Sequence, residues 1–347
     1  MKYTLAKRYD SIIGIHLILL IKLQKEEFGM TDSSKPYVLV FGLSIYDIFG
    51  FAKTNYRAYD SNPGKVKVSC GGVCRNIAEN MARIGMNTKF ISILGEDEKG
   101  QAILAKASKI GLDMQDSLIV KGASTPTYLA ILDEKGEMVS AVVDIEIANC
   151  FSKEEVDKRA EVIKGAEYMF FGADNPELME YIVTTYKGKT HFVLDPVSTA
   201  KAKGVKHLIP YFHTIKPNRH EAEVLCGFSL DSEEAIREAG AYLIGLGVEN
   251  VFISLDAEGI YYNNGKEEGI IKGIPQEVKN VTGAGDAFVA GIGYGYMNQT
   301  NIKETVKIAI TLSNITISHE ETIHPGLNFE LVEQVMASCK WEEKRLQ

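Results

Sequence analysis

From Tyr37 onward, short runs of apolar, β-branched and aromatic residues alternate with longer stretches in which apolar positions recur every three or four residues. The runs VLVFGLS (38–44), KFISILG (89–95), YMFFG (168–172), HFVLDP (191–196), HTIKPN (213–218) and NVFISL (250–255) predict strands buried on both faces. Between them, RNIAENMARIG (75–85) and a segment near 98–110 have helical periodicity. A last helix is expected near 327–340, ending in a charged tail. This rhythm predicts an α/β fold with a parallel sheet and crossover helices, whose ligands collect at the carboxyl ends of the strands.

Two stretches break the rhythm. Residues 51–69 lack helical periodicity, and TPTYLAIL-DEKGE-MVSAVV (125–143) predicts two strands joined by a turn at Asp133 to Gly136. Lid strands are therefore expected within about 51–69 and 123–149. Paired into a small sheet over the strand ends, they would exclude water from a bound substrate, while an ordinary edge hairpin fits the same pattern. With no repeat and no long linker, residues 36–345 predict one folding unit with this excursion.

Composition narrows the partners. A net charge of -8 and a pI near 5.5 argue against a nucleic-acid partner and for a small molecule. The five cysteines form no disulfide framework or metal set, which fits a reducing, cytoplasmic setting. Lys2, Lys7 and Arg8 precede an apolar run from Ile12 to Ile21 that is too short to span a bilayer. Residues 1–35 are expected to be an extension outside the fold, with Met30 as an alternative start, and no membrane association is expected.

Three motifs carry chemistry. In NVTGAGDAF, Thr282 and the segment Gly283, Ala284, Gly285 precede Asp286 at the start of a small-residue helix. Glycines and a helix N-terminus turn N–H groups toward an anion, and Asp286 beside them would accept a proton, although a capped helix after a glycine turn would read the same way. Gly71 and Gly72 precede Arg75 and Asn76, where close backbone approach and an amide suit sugar hydroxyls; glycine punctuation before a helix is the competing reading. In KPNRHE, Asn218 and Glu221 stand three apart on a first helical turn and either hold Mg²⁺ through water or cap the helix. A G-x-x-x-x-G-K-[ST] loop is absent, and GLSIYD after the first strand does not fit a dinucleotide fingerprint.

Taken together and in this order, GGVCRNIA, KPNRHE and NVTGAGDAF resemble the ribokinase-like (PfkB) carbohydrate kinase family over residues 36–326. The resemblance implies a Rossmann-like, ribokinase-type three-layer sandwich with a small β-sheet lid, ATP as donor, Mg²⁺, and a sugar or nucleoside hydroxyl as acceptor. It implies Asp286 as base and Gly283, Ala284 and Gly285 as anion hole. Asp47, Gly71, Gly72, Arg75 and Asn76 would hold the acceptor, Asn218 and Glu221 would organise metal and phosphates, and Ser254, Asp256, Gly259 and Thr282 would face the nucleotide. Within the family, the lid segment and DPVS (195–198) look most like the pseudouridine kinase group, which brings in Thr127, Asp144 and Asn149 near the base or ribose. Other sugars or nucleosides, and a catalytically silent binding protein, are the alternatives. The family often has Asp where this chain has Asn280. The segment ISHEETIHPG (317–326) departs from the pattern linked to a monovalent cation, which keeps such an ion an open candidate. A free lid edge leaves room for a homodimer.

Overall fold

The computed structural model describes residues 35–274 and 277–346, so the expectations for residues 1–34 lie outside the described residues. In chain order the strands are β1 (Val38–Phe41), β2 (Ile45–Ala52), β3 (Gly64–Gly71), β4 (Thr88–Ile91), β5 (Ile93–Gly95), β6 (Leu118–Val120), β7 (Thr127–Leu132) and β8 (Met138–Asp144). They continue with β9 (Tyr168–Gly172), β10 (His191–Asp195), β11 (Thr214–Ile215), β12 (Asn250–Ser254), β13 (Ile260–Asn263), β14 (Glu268–Ile274) and β15 (Lys340–Arg345).

The main sheet has the order β15-β14-β13-β12-β11-β10-β9-β1-β4. It is parallel from β12 to β4 and antiparallel from β12 to β15. Alternation along β1 explains the layers. Val38 and Val40 pack with Ile77, Met81 and Val289 on one face, while Leu39 packs with Phe171 and Ile182 on the other. Helices therefore cover both faces, as a parallel sheet requires. Helices Val73–Arg83 and Ala284–Met297 lie together on the first face, and both begin at the carboxyl end of the sheet.

A second sheet, β3-β2-β7-β8, is the predicted lid. Its first strand starts at Ile45, ahead of the expected window, because β2 follows β1 after a short turn and pairs with β7 from Tyr46. Asp47 thus belongs to the lid. β8 is exposed along its length and β3 is exposed through Ser69, so the lid has little cover of its own.

Two further expectations need correction. The run 89–95 is two strands: β4 joins the main sheet, while β5 pairs with β6, and the break falls at Ser92, whose Oγ accepts from Ser44 N at 2.9 Å. The charged tail forms β15, antiparallel to β14. An edge strand tolerates charges on its open face, while Trp341 packs onto the core beside Tyr262 and Ile271.

Candidate active site

The carboxyl ends of β1, β9 and β10 and the inner side of the lid enclose a cleft of about 890 Å³. Asp47, Gly71, Gly72, Arg75, Asn76, Thr282, Gly283 and Asp286 all line it. Residues more than two hundred positions apart in the chain meet here because two helices start side by side. Asn76 Nδ2 donates to Asp286 Oδ2 at 2.8 Å.

Asp286 lies in the first turn of helix Ala284–Met297, only 9% exposed. Burial pushes its carboxyl up to about 7, and the neighbouring Asp195 adds to this, while the Asn76 hydrogen bond and Lys216 oppose it. Such a carboxyl exchanges a proton near neutral pH. Gly283 caps the helix with φ +84°, and among the described residues no side chain caps that end. A Cβ on Gly283 would come within 2.4 Å of Thr322 O. Thr282 and Gly283 line the cleft next to the acid, and although Ala284 N already donates to Val281 O at 3.3 Å, the helix brings its positive end to the cleft there.

Asn280 fastens this loop. Its Oδ1 accepts from Thr282 N at 2.9 Å, and its Nδ2 donates to Glu320 O at 2.9 Å. An aspartate has no donor for the second bond. The amide side chain thus ties the glycine turn to the segment 317–326, a physical reason for Asn at a position where the family often has Asp.

Across the cleft, Gly71 leaves space for Asp47, since a Cβ there would sit 2.1 Å from Asp47 Oδ2. Ser69 Oγ reaches that same oxygen at 3.5 Å, and burial pushes the Asp47 carboxyl up to about 6. Arg75 lines the cleft with its guanidinium already engaged. It donates to Cys70 O at 2.7 Å and to Asn76 Oδ1 at 3.3 Å, and pairs with Glu79. By holding Asn76 Oδ1, it turns Nδ2 toward Asp286.

Asn218 and Glu221 form the reciprocal capping box. Glu221 N donates to Asn218 Oδ1 and Asn218 N to Glu221 Oε2, each at 2.9 Å. Neither lines the cleft of Asp286, yet Glu221 is buried beside Lys216 and Asp195. Ser254 bridges to Asn218 at the ends of β12 and β11, and the turn Asp256–Glu258 with Gly259 at φ +104° follows.

Thr127, Asp144 and Asn149 are placed elsewhere. Thr127 Oγ1 accepts from Lys99 Nζ and donates to Thr125 O, both at 2.7 Å, which ties it into the lid's base. Asp144 pairs opposite Thr127 and is exposed. Asn149 lines an adjoining cavity with Phe41 and Phe171, which shares Leu43, Asp174 and Lys201 with the main cleft.

The sequence reading assigned no role to Lys216, Asp195 or Val197. Lys216 Nζ is 3.4 Å from Asp195 Oδ2 and would meet a Cβ on Gly285 at 2.9 Å. Burial alone would lower its ammonium, but Asp195, Glu221 and Asp286 outweigh it and hold the value above the ordinary one. The signal was present: a charged residue closes each of the buried runs 191–195 and 213–216. Val197, with φ +68°, lines the cleft in a conformation costly for a β-branched residue, held by donation from its N–H to Asp195 Oδ1 at 2.8 Å.

Comparison with known proteins gives the family and the fold. Pseudouridine kinase of Escherichia coli is 34% identical over 296 residues, covering 85% of this chain and 94% of the relative. A crystal structure of a candidate sugar kinase from Clostridium perfringens is 56% identical, with a TM-score of 0.87 and coverage of 90% and 99%. Arabidopsis thaliana ribokinase, complexed with ribose and ATP, shares the fold at 19% identity, TM-score 0.78 and coverage of 87% and 98%. Residues 35–328 match the pfkB family carbohydrate kinases, and the chain therefore belongs to that family, with its ribokinase-type α/β fold.

Proposed function

We propose that this kinase transfers the γ-phosphoryl group of ATP to the 5′-hydroxyl of pseudouridine, giving pseudouridine 5′-phosphate and ADP. The observation that carries the reading is the Asn76–Asp286 hydrogen bond at the foot of a helix that no side chain caps, in a cleft roofed by the lid. The likeness to pseudouridine kinase over most of both chains supports the acceptor.

In this mechanism Asp47, Gly72 and Asn76 hold the ribose, with Gly71 giving Asp47 its space and Arg75 fixing Asn76. Asn149 offers an amide donor and acceptor to the uracil ring from the adjoining cavity. Asp286 takes the proton from the 5′-hydroxyl as that oxygen forms its bond to the γ-phosphorus and the bond to the β–γ bridging oxygen breaks. The amides of Gly283, Ala284 and Gly285 face the charge on the transferring group. Ser254, Asp256, Gly259 and Thr282 line the nucleotide's side.

The donor set fits Mg²⁺, which keeps several waters and takes few carboxylates. Glu221, fixed by its capping box with Asn218, would hold it through water, and the ion would supply charge neutralisation at the phosphates. Exposed Val66, Val68, Val142 and Val143 on the lid suit pairing with a second copy of the chain.

A panel of acceptors with MgATP, read by product mass, tests the assignment. Pseudouridine is expected to react with the highest kcat/KM. A preference for ribose, adenosine or a ketose contradicts the acceptor while leaving the kinase chemistry in place.

A further inference from the structure

At the end of the main sheet opposite Asp286, three neighbouring parallel strands begin with potential metal ligands. His191 opens β10, His213 immediately precedes β11, and Glu249 immediately precedes β12. One ligating atom of each lies within 4.8 Å of the other two, and His213 Nε2 is 3.6 Å from Glu249 Oε2. No other group of three such residues is this close among the described residues.

The backbone holds these positions. His213 N donates to Phe192 O at 2.9 Å, and the N–H groups of Glu249 and Asn250 both donate to His213 O at 3.0 Å. The second nitrogen of His213 is also fixed: Nδ1 lies 2.7 Å from Thr214 Oγ1, which is 2.6 Å from Tyr296 OH. Metal-bound imidazoles are oriented in this way, by a hydrogen bond at the nitrogen that does not bind the ion. Tyr168 stacks on Tyr296 at 5.0 Å and packs against both imidazoles, while Tyr296 meets His213 edge-on, which gives the cluster an aromatic wall.

We propose that His191, His213 and Glu249 form a site for a divalent transition-metal ion of the Zn²⁺ class, with a water as fourth ligand. Two imidazoles and one carboxylate suit that class, whereas Mg²⁺ prefers oxygen ligands and octahedral geometry. Metal–ligand bonds of about 2.0–2.1 Å in a tetrahedron place ligand atoms about 3.3 Å apart. The exposed His191 and Glu249 side chains close the remaining gap by rotation, while half-buried His213 stays in place. The site is separate from the phosphoryl-transfer cleft, and it stands or falls independently of the acceptor.

The test uses the full chain, stripped with a chelator and titrated with Zn²⁺ in excess Mg²⁺ by calorimetry, with Co²⁺ as an absorption probe of coordination. Binding of one ion per chain is expected, with Co²⁺ showing the intense visible bands of tetrahedral coordination. His191→Ala and Glu249→Gln, at exposed positions, should each weaken it by about 10-fold or more. His207→Ala, whose ring pairs with Glu180 and takes no part in the cluster, should leave it unchanged. No stoichiometric binding in the presence of Mg²⁺, or binding that either ligand variant leaves intact, overturns the proposal.

Discussion

The cleft is built from two unlike regions. Its floor is the end of the parallel sheet, where Asp286, Asn76, Asp195 and Lys216 are each less than a tenth exposed and bound to one another or packed under helices. Its roof is the lid, whose strands β3 and β8 lie largely open to solvent. Both regions offer a carboxylate that burial pushes upward, Asp286 to about 7 and Asp47 to about 6. Under the proposed mechanism the difference teaches a division of labour: Asp286, and Asn76 that orients it, sit in the part that packing fixes, while Asp47, which would grip only the acceptor, sits on an element with less to hold it.

That division predicts rate effects from the floor and affinity effects from the roof. The largest belongs to Asp286→Asn, expected to lower kcat by about 10²–10⁴-fold with nucleoside binding by calorimetry nearly unchanged. The same variant has a stability signature. Because the folded protein raises this acid's pKa, its contribution to stability is complete below the unfolded value and lost as pH rises through about 7. The variant should therefore melt above the parent at pH 8, with the gap closing toward pH 4. Next comes Gly283→Ala, whose methyl would collide with Thr322 O at a positive φ and displace the amides, for a loss of about 10²–10³-fold in kcat. Asp47→Asn, on the roof, should raise the acceptor KM by about 10-fold, the worth of a hydrogen bond to a charged group, and leave kcat within about threefold. A kcat loss from Asp47→Asn as large as that from Asp286→Asn would erase the distinction between the regions.

Much of the floor was legible in the sequence. Apolar runs ending in a polar residue give the strands and the place where ligands gather, and NVTGAGDAF contains both the turn and the acid. Pairings across distance were not legible. The motif GGVCRNIA names Asn76, but its contact with Asp286 depends on two helices starting together, and the engagement of Arg75 with Cys70 and Asn76 follows from packing that no local pattern encodes. The capping box at Asn218 and Glu221 was an open alternative that the structure shows to be made, because a first helical turn presents the same spacing to a backbone N–H as to a metal. The lid was the least legible region: β2 begins ahead of its expected place, and Thr127 and Asn149 lie outside the cleft because turn geometry and local hydrogen bonds, rather than strand pattern, decide where its ends point.

The most direct measurement of the central claim is the pH dependence of kcat/KM for the parent and for Asp286→Asn. With Asp286 as the base, the parent's rate should fall about tenfold per pH unit below about 7, and the variant's residual rate should lose that acid limb. The same limb persisting in the variant would show that another group takes the proton.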